Sequence, residues 1–136
     1  MVEVSINYTG DLHCEASHGP SHSTISTDAP MDNRGKGESF SPTDLVATAL
    51  GTCMSTTMGI AAADHNLNLR GLTVRVQKHM SKDAPRRIVA LPSEVHIPLP
   101  PNCPQRALIE NAALNCPVHK SLPPEIERPT AFFWEG

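Results

Sequence analysis

Residues 41–65 of the chain read SPTDLVATALGTCMSTTMGIAAADH, and this stretch predicts one long α-helix. Ser41 is a favourable N-cap, Pro42 suits the first helical position, and Asp44 can complete a capping box with the serine. The carboxylate of Asp44 also lies at the positive end of the helix dipole. We expect the helix to run to about residue 65, with Asn66 near its C-terminal cap.

The surface of this predicted helix is rich in small residues. One apolar stripe at helical spacing consists of Leu45, Ala49, Cys53 and Ile60. Most other positions are alanine, glycine, serine or threonine, which let a second backbone approach closely. We therefore expect the helix to be buried, and a second copy of the same helix is one candidate neighbour. The polar residues within Leu45–Ala63 make it too polar for a membrane span.

The segments on either side of the long helix predict an α+β protein. The elements expected there are strands at 2–8, 12–18, 21–27, 71–80, 86–98 and 130–134, and helices that open at Cys103 and at Cys116. Pro92 marks a break or an edge within one of these strands. Residues 28–39 are rich in Asp, Asn, Gly and Pro and predict a loop.

Length and charge narrow the classes of protein that fit. The 136 residues suit one domain, spanning residues 1–136. A formal net charge of −3 argues against nucleic acid or an acidic membrane surface as the main partner. The first residues, MVEVSINYTG, lack the basic and apolar regions of a signal peptide. We therefore expect a soluble, cytoplasmic protein.

Cysteine is the residue type in this chain that is most able to carry chemistry. The four cysteines are Cys14, Cys53, Cys103 and Cys116. None forms a C-x-x-C motif, and a reducing compartment argues against a static disulfide scaffold. Cys116 is expected at a helix N-terminus, where backbone N–H groups favour a thiolate and where His119 or Lys120 could add positive charge. A capping and packing role for Cys116 fits equally well, and Cys53, in mid-helix, looks like a buried structural cysteine.

Other chemistry has weaker support in the sequence. Cys116 and His119 could form half of a metal site, but structural zinc needs four ligands. Arg34 lies in the predicted loop and, on its own, fits a solvated surface residue. The chain has no glycine-rich phosphate loop and no serine nucleophile elbow.

Two segments, taken together, resemble those of a known family. Residues 39–53, SFSPTDLVATALGTC, are similar to its pattern of a proline, an acidic residue, a leucine, an alanine-rich stretch and a final cysteine. Residues 115–122, NCPVHKSL, are similar to its Cys-Pro-Val-His/Ser segment. This is the OsmC/Ohr family, named for osmotic induction and organic hydroperoxide resistance. The predicted order of elements also matches its fold across nearly the whole chain.

The resemblance implies an OsmC-like intertwined homodimer, with antiparallel sheets wrapped around two long central helices. Each of its two sites, at the subunit interface, would hold both cysteines. Cys53 would be the peroxidatic cysteine, whose thiolate attacks the peroxide O–O bond and becomes a sulfenic acid. Cys116 would be the resolving cysteine that forms a disulfide. A dithiol, of lipoyl type or another small thiol, would then reduce this disulfide. No cofactor and no metal is implied.

The resemblance also points to an arginine and to a departure from the pattern. In the family, an arginine from the loop before the long helix stabilises the thiolate and the polarised peroxide, and a glutamate directly after the proline holds it. Arg34 is the only arginine before the helix and would take this role. Thr43 occupies the glutamate position, and Asp44 follows about 100° further round the helix. Asp44 and Glu38 are therefore the candidate carboxylates, and Asp44 could serve as a cap instead.

Three functional hypotheses follow from the sequence. The first is a thiol-dependent peroxidase that reduces organic hydroperoxides or hydrogen peroxide. The second, favoured by Thr43 in place of glutamate, is an OsmC-like redox sensor or small-molecule binder without efficient turnover. The third is a structural zinc protein. Cys14 and Cys103 have no counterpart in the family and are interpreted as structural.

Overall fold

The computed structural model describes residues 1–136 and has a mixed α+β architecture, which confirms the predicted fold class. The chain divides into two compact units, Met1–Val46 and Ala47–Gly136. The helices are α1 (Pro42–Ala63), α2 (Arg106–Leu114) and α3 (Pro117–Ser121). The strands are β1 (Val4–Gly10), β2 (His13–His18), β3 (Thr24–Asp28), β4 (Thr73–Val76), β5 (His79–Met80), β6 (Ile88–Ala90), β7 (Ser93–Ile97) and β8 (Thr130–Trp134). A single domain over residues 1–136 stays a prediction.

The first unit contains an antiparallel sheet in the order β1-β2-β3. Its register places Ile6, Ala16 and Ile25 opposite one another, so they share one face of the sheet. The large apolar side chains exposed on this face are Val4 (54% exposed), Ile6 (61%), Tyr8 (65%) and Ile25 (51%). The alternation in the sequence correctly predicted a strand. Its apolar side chains are nevertheless exposed in the single chain.

The two ends of α1 follow the local sequence signals closely. The Ser41 N–H donates to Asp44 Oδ2 at 2.9 Å, and the Asp44 N–H donates to Ser41 Oγ at 3.1 Å. This reciprocal pair is the predicted capping box. At the other end, Asn66 has a φ of 56°, and the N–H of Leu67 donates to the carbonyl of Ala62 at 2.9 Å. Those features define a Schellman motif, with Asn66 in the left-handed position.

The buried side of α1 differs from the predicted stripe. The residues it buries are Leu50, Gly51, Met54, Met58 and Ala62. On the predicted stripe, Leu45, Ala49 and Cys53 are half-buried and Ile60 is 59% exposed. Periodicity alone could not distinguish the two stripes, because alanine, glycine and methionine give the helix apolar residues on several sides. Gly51 permits close contact with the sheet, since a Cβ there would lie 3.1 Å from Val76 Cγ2.

By length and composition alone, α1 could cross a membrane, which contradicts the sequence interpretation of this segment as too polar to do so. Core helices of soluble proteins pass the same test. In this structure the helix places one row of methionine and leucine side chains in the interior of the second unit.

The second unit contains a three-stranded sheet in the order β4-β7-β8 and a small β5-β6 pair. Strand β7 is antiparallel to β4 and parallel to β8. The predicted strand at 71–80 is two strands, β4 and β5, and the predicted strand at 86–98 is broken at Pro92 as expected. Helix α2 begins at Arg106, with Gln105 rather than Cys103 at its N-cap. Its buried residues are Ile109 and Ala113.

Leu50 offers a direct test of the buried stripe. Its side chain is fully buried, so Leu50→Ala should lower the free energy of unfolding by about 2–5 kcal/mol, through lost burial and the cavity left behind. Denaturant unfolding at fixed protein concentration measures this. Leu114→Ala is the matched control, because Leu114 is 40% exposed and should lose clearly less. Equal losses in the two variants would contradict this assignment of the buried side.

Candidate active site

The structure brings two of the predicted site residues together. The Cys53 thiol on α1 lies near enough to the Cys116 thiol at the start of α3 to raise its pKa, and both cysteines are reduced. Cys53 is half-buried, whereas Cys116 is fully buried. Two neighbouring thiols can form a disulfide when their sulfurs approach to about 2 Å. The pair is therefore a candidate dithiol–disulfide centre within the second unit.

A hydrogen bond between helices supports this arrangement. Thr57, one turn after Cys53, donates its hydroxyl to the carbonyl oxygen of Ala112 at 3.0 Å. Ala112 lies in the last turn of α2, which leads directly into Cys116. The Cys116 N–H continues this link by donating to the carbonyl of Ala113 at 3.3 Å. The bond thus fixes the end of α2, and with it the second sulfur, against α1.

Cys116 is the N-cap of α3, as the sequence predicted. It has an extended backbone (φ −64°, ψ 153°), and Pro117 follows in the first turn. Its Sγ accepts a hydrogen bond from the N–H of His119 at 3.5 Å. The N–H of the first helical residue has no partner within a helix, so proline, which lacks that N–H, is well suited to the position. The local sequence therefore favours this geometry.

The expectation that this cap favours a thiolate is wrong. Burial raises the pKa of the Cys116 thiol, and it outweighs the opposing hydrogen bond from the His119 N–H. The nearby Cys53 thiol raises the pKa of Cys116 further. Cys116 is thus held as a thiol at neutral pH. The sequence shows the helix terminus but not the surrounding protein that excludes water from the sulfur.

His119 does not supply the positive charge that the sequence suggested. Burial lowers the pKa of its imidazole, and the charges of Arg128 and Lys120 lower it further, so the ring is neutral at pH 7. His119 Nε2 is buried without a hydrogen-bond partner. The backbone of this residue is what serves the site: its N–H binds Cys116 Sγ, and its carbonyl accepts a hydrogen bond from Arg128 Nη1.

The remaining predicted residues lie in the first unit. Arg34 is exposed, with a φ of 68°, and follows a short 3-10 turn at Met31–Asn33. Asp44 forms the capping box with Ser41. Glu38 donates its backbone N–H to Asp28 Oδ2 at 3.1 Å. Of the two candidate carboxylates, Asp44 therefore has an observed structural role at the start of α1.

Cys14 and Cys103 are on other elements of the chain than the cysteine pair. Cys14 is on β2, opposite Tyr8 of β1 and Thr27 of β3. Cys103 is buried, and its Sγ lies 3.7 Å from Gln105 Oε1. The side chains of the chain form no group of three or more His, Cys, Asp or Glu that could hold a metal ion.

One cluster was missed by sequence reasoning. The imidazole of His13 lies between two carboxylates, those of Asp28 and Glu15. In the sequence His13 is one of several scattered histidines, for each of which a solvated or hydrogen-bonded state is the simplest expectation. The strand register, which places His13 opposite Asp28, creates the cluster. The sequence signals were weak: His13 is followed two positions later by Glu15, and Asp28 comes only after the next predicted strand.

Comparison with known proteins places this geometry in a family. The family model described as OsmC-like protein matches residues 35–128. A solved structure from Psychrobacter arcticus, named for osmotic stress induction and a detoxification response, has 41% sequence identity and a TM-score of 0.90. The match covers 97% of this chain and 96% of that one. A search of curated proteins found no match.

More distant solved structures share the fold. An organic hydroperoxide resistance protein from Legionella pneumophila has 12% identity and a TM-score of 0.79, with 98% of this chain and 96% of that chain covered. The organic hydroperoxide resistance protein OhrB of Bacillus subtilis has 15% identity and a TM-score of 0.70, with 97% of each chain covered. The family model and the Psychrobacter structure, together with this shared fold, show that the chain belongs to the OsmC/Ohr family.

Proposed function

We propose that this chain is a thiol-dependent peroxidase that reduces organic hydroperoxides or hydrogen peroxide through Cys53 and Cys116. The observation that carries the proposal is the closeness of the two thiols, which lie far apart in the sequence. Membership of a family that includes organic hydroperoxide resistance proteins supports the reaction class. The different burial of the two cysteines supports a distinct role for each.

The proposed roles of the two sulfurs follow the difference in their burial. Cys53 is half-buried, whereas Cys116 is fully buried, so Cys53 is the better candidate for attack on a peroxide. The Cys53 thiolate attacks one peroxide oxygen, the O–O bond breaks, and the other oxygen leaves as an alcohol or water after taking up a proton. Cys53 becomes a sulfenic acid. Cys116 remains a thiol during this step, because burial raises its pKa.

The second half of the cycle forms and then reduces a disulfide. The Cys116 sulfur attacks the sulfur of the Cys53 sulfenic acid, a disulfide forms, and water leaves. A dithiol of lipoyl type or another small thiol then reduces the disulfide by exchange, which returns both cysteines to thiols. We place the reaction in the cytoplasm, where such reductants keep thiols reduced.

Arg34 is proposed to stabilise the developing negative charge. A guanidinium near the peroxide would favour both the thiolate nucleophile and the departing oxyanion. Its support here is the motif resemblance and its position in the only loop before α1 that carries an arginine. The supporting carboxylate that follows the proline in the family is replaced by Thr43, and Asp44 caps the helix.

The active form is proposed to be a homodimer with a second copy of this chain. The apolar face of the β1-β2-β3 sheet is exposed in the single chain. Helix α1 also leaves one side exposed, with Thr48, Thr52, Thr56 and Ile60 in line. The hydroxyls of Thr52 and Thr56 each donate to the carbonyl four residues earlier at 2.8 Å. This side of the helix can therefore be covered without leaving those hydroxyls unsatisfied.

A redox sensor is the second candidate function. The observation that favours it is Thr43 in place of glutamate, which removes one support for Arg34. A sensor would form the Cys53–Cys116 disulfide on exposure to peroxide but would not turn over rapidly with a dithiol. Peroxide consumption in the presence of a dithiol separates the two functions.

The proposed roles of the two cysteines predict different activity defects when each is replaced by serine. Cys53→Ser should abolish peroxide consumption with a dithiol reductant, because the nucleophile is lost. Cys116→Ser should consume about one equivalent of peroxide and retain a sulfenic acid, which a sulfenic-acid probe and mass spectrometry detect. Cys14→Ser, at a cysteine outside the pair, is the control. Wild-type turnover in Cys53→Ser would contradict the assignment, as would turnover of the wild type with no disulfide formed.

The proposed role of Arg34 predicts that removing its charge slows the oxidation of Cys53 by peroxide. Arg34→Gln should lower the second-order rate constant for oxidation of Cys53 by about 100-fold to 1,000-fold, the usual cost of losing one such electrostatic contact. Stopped-flow oxidation of the reduced protein measures this rate. Lys36→Gln is a matched control, since Lys36 is an exposed cation in the same loop. Equal rates for the wild type and Arg34→Gln would exclude the arginine from the reaction.

If the apolar face of the β1-β2-β3 sheet is covered by a second copy in the dimer, a charge placed on that face should disrupt the dimer. Ile6→Glu should convert the protein to a monomer, because the exposed side chain of Ile6 would be buried against a second copy. Light scattering during size-exclusion chromatography measures the mass. Ser5→Glu, on the opposite face of β1, is the control and should remain dimeric. A wild-type monomer, or an unchanged dimer in Ile6→Glu, would overturn the interface.

A further inference from the structure

His13 is held between two carboxylates on the sheet of the first unit. Its Nδ1 lies 2.6 Å from Asp28 Oδ1, and its Nε2 lies 2.8 Å from Glu15 Oε1. Ser26 Oγ donates to the same Glu15 oxygen at 2.9 Å. The Asp28 side chain is only 9% exposed. We refer to His13, Asp28 and Glu15 as the histidine clamp.

The geometry of the histidine clamp determines its protonation state. An ionised carboxylate oxygen can only accept a hydrogen bond, so both ring nitrogens must donate. A neutral imidazole carries one N–H and an imidazolium carries two. The observed contacts therefore require the imidazolium form of His13. In agreement, hydrogen bonds to Asp28 and then to Glu15 raise the pKa of His13, and the bond to His13 is the main cause that lowers the pKa of Glu15.

No other charged group is involved in holding the ring. On one side of β2, strand β1 places Gly10, which has no side chain, opposite His13. On the other side, β3 contributes Asp28 and the uncharged Ser26. Glu15 comes from β2 itself. The charge on the imidazole is therefore balanced by the two carboxylates alone.

Asp28 joins the histidine clamp to the loop that carries Arg34. Its Oδ1 faces His13, and its Oδ2 accepts the backbone N–H of Glu38 at 3.1 Å. Its own N–H donates to the carbonyl of Phe40 at 3.1 Å. Asp28, from which the loop starts, thus contacts two residues at the end of the loop. Rotation of this carboxylate away from His13 would also remove the acceptor from Glu38.

The loop is tightly closed around Arg34. The N–H of Gly35 donates to the carbonyl of Pro30 at 2.9 Å, and the N–H of Gly37 donates to the carbonyl of Ala29 at 3.3 Å. A Cβ at Gly35 would lie 1.6 Å from the oxygen of Ala29, so only glycine fits directly after the arginine. The backbone of Arg34 therefore depends on how the loop is anchored at Asp28.

We propose that His13 is a positioning residue for Arg34, and that protonation of its imidazole controls whether the Arg34 loop is held in its closed conformation. The proposal deepens the peroxidase function and rests on it for its catalytic consequence. His13 itself touches neither the peroxide nor the reacting sulfurs. It acts through Asp28, whose second oxygen anchors the loop at Glu38.

The direction of the pH effect follows from the pKa of His13, which the clamp raises above its ordinary value of 6.5. The stabilising contribution of the clamp is fully present below that ordinary value. It is lost as the pH rises through the raised pKa, because a neutral ring can donate to only one carboxylate and turns a lone pair toward the other. The contribution of Arg34 to peroxide reduction should therefore shrink as the pH rises through this range.

A double-mutant cycle tests the catalytic consequence. At pH 6, His13→Gln should lower the rate of Cys53 oxidation by peroxide about tenfold to 100-fold, through misplacement of the arginine. In an Arg34→Gln background the same change should have no further effect. His18→Gln, at the other end of β2 and in contact with Ser21 rather than a carboxylate, is the matched control. Additive losses in the double variant would overturn the proposal.

An NMR titration tests the clamp independently of activity. The amide proton of Glu38 should shift with the same midpoint as the His13 ring, above pH 6.5, and Asp28→Asn should abolish that shift. A Glu38 amide that does not respond to titration of His13 overturns the proposal even if the enzyme is active. If the wild type reduces no peroxide, the proposed function fails, and a coupled NMR titration still supports control of the loop by His13.

Discussion

The packing of α1 into the second unit is the constraint on which the rest of the structure depends. Its buried row of Leu50, Met54 and Met58 fixes the rotation of the helix about its axis. Cys53 lies beside Met54 on the flank of that row, and this rotation brings its sulfur to Cys116. The opposite side of the helix carries small residues and stays exposed. One rotation thus serves both the cysteine pair and the proposed contact with a second chain.

Burial gives the two cysteines different chemistry although they lie near each other. Cys116 has the helix N-terminus that ordinarily favours a thiolate, yet exclusion of water from its sulfur outweighs that field. Cys53 lies in mid-helix and is only half-buried. A pair with one half-buried sulfur and one fully buried thiol suits an ordered reaction, in which oxidation precedes disulfide formation.

Features that depend on neighbours in sequence could be predicted, and features that depend on distant partners could not. The capping box of Ser41 and Asp44, the cap at Cys116 and the turn at Asn66 involve residues within one helical turn. The buried stripe of α1, the pKa of Cys116 and the clamp around His13 each arise from other elements of the fold. The resemblance predicted that both cysteines belong to one site, and the structure brings them near each other; a resemblance carries tertiary information that local patterns lack.

The departure at Thr43 acquires a physical meaning from the loop before α1. In the family pattern a glutamate after the proline would hold the arginine from the helix. In this chain Thr43 stands at that position, and the next residue, Asp44, caps the helix. The loop is instead anchored from the sheet, through His13 and Asp28 to the N–H of Glu38. A direct ion pair with a glutamate keeps its charge across neutral pH, whereas an imidazolium does not. Under the proposed role of His13, support of the arginine in this chain would depend on pH, which an ion pair with glutamate would not.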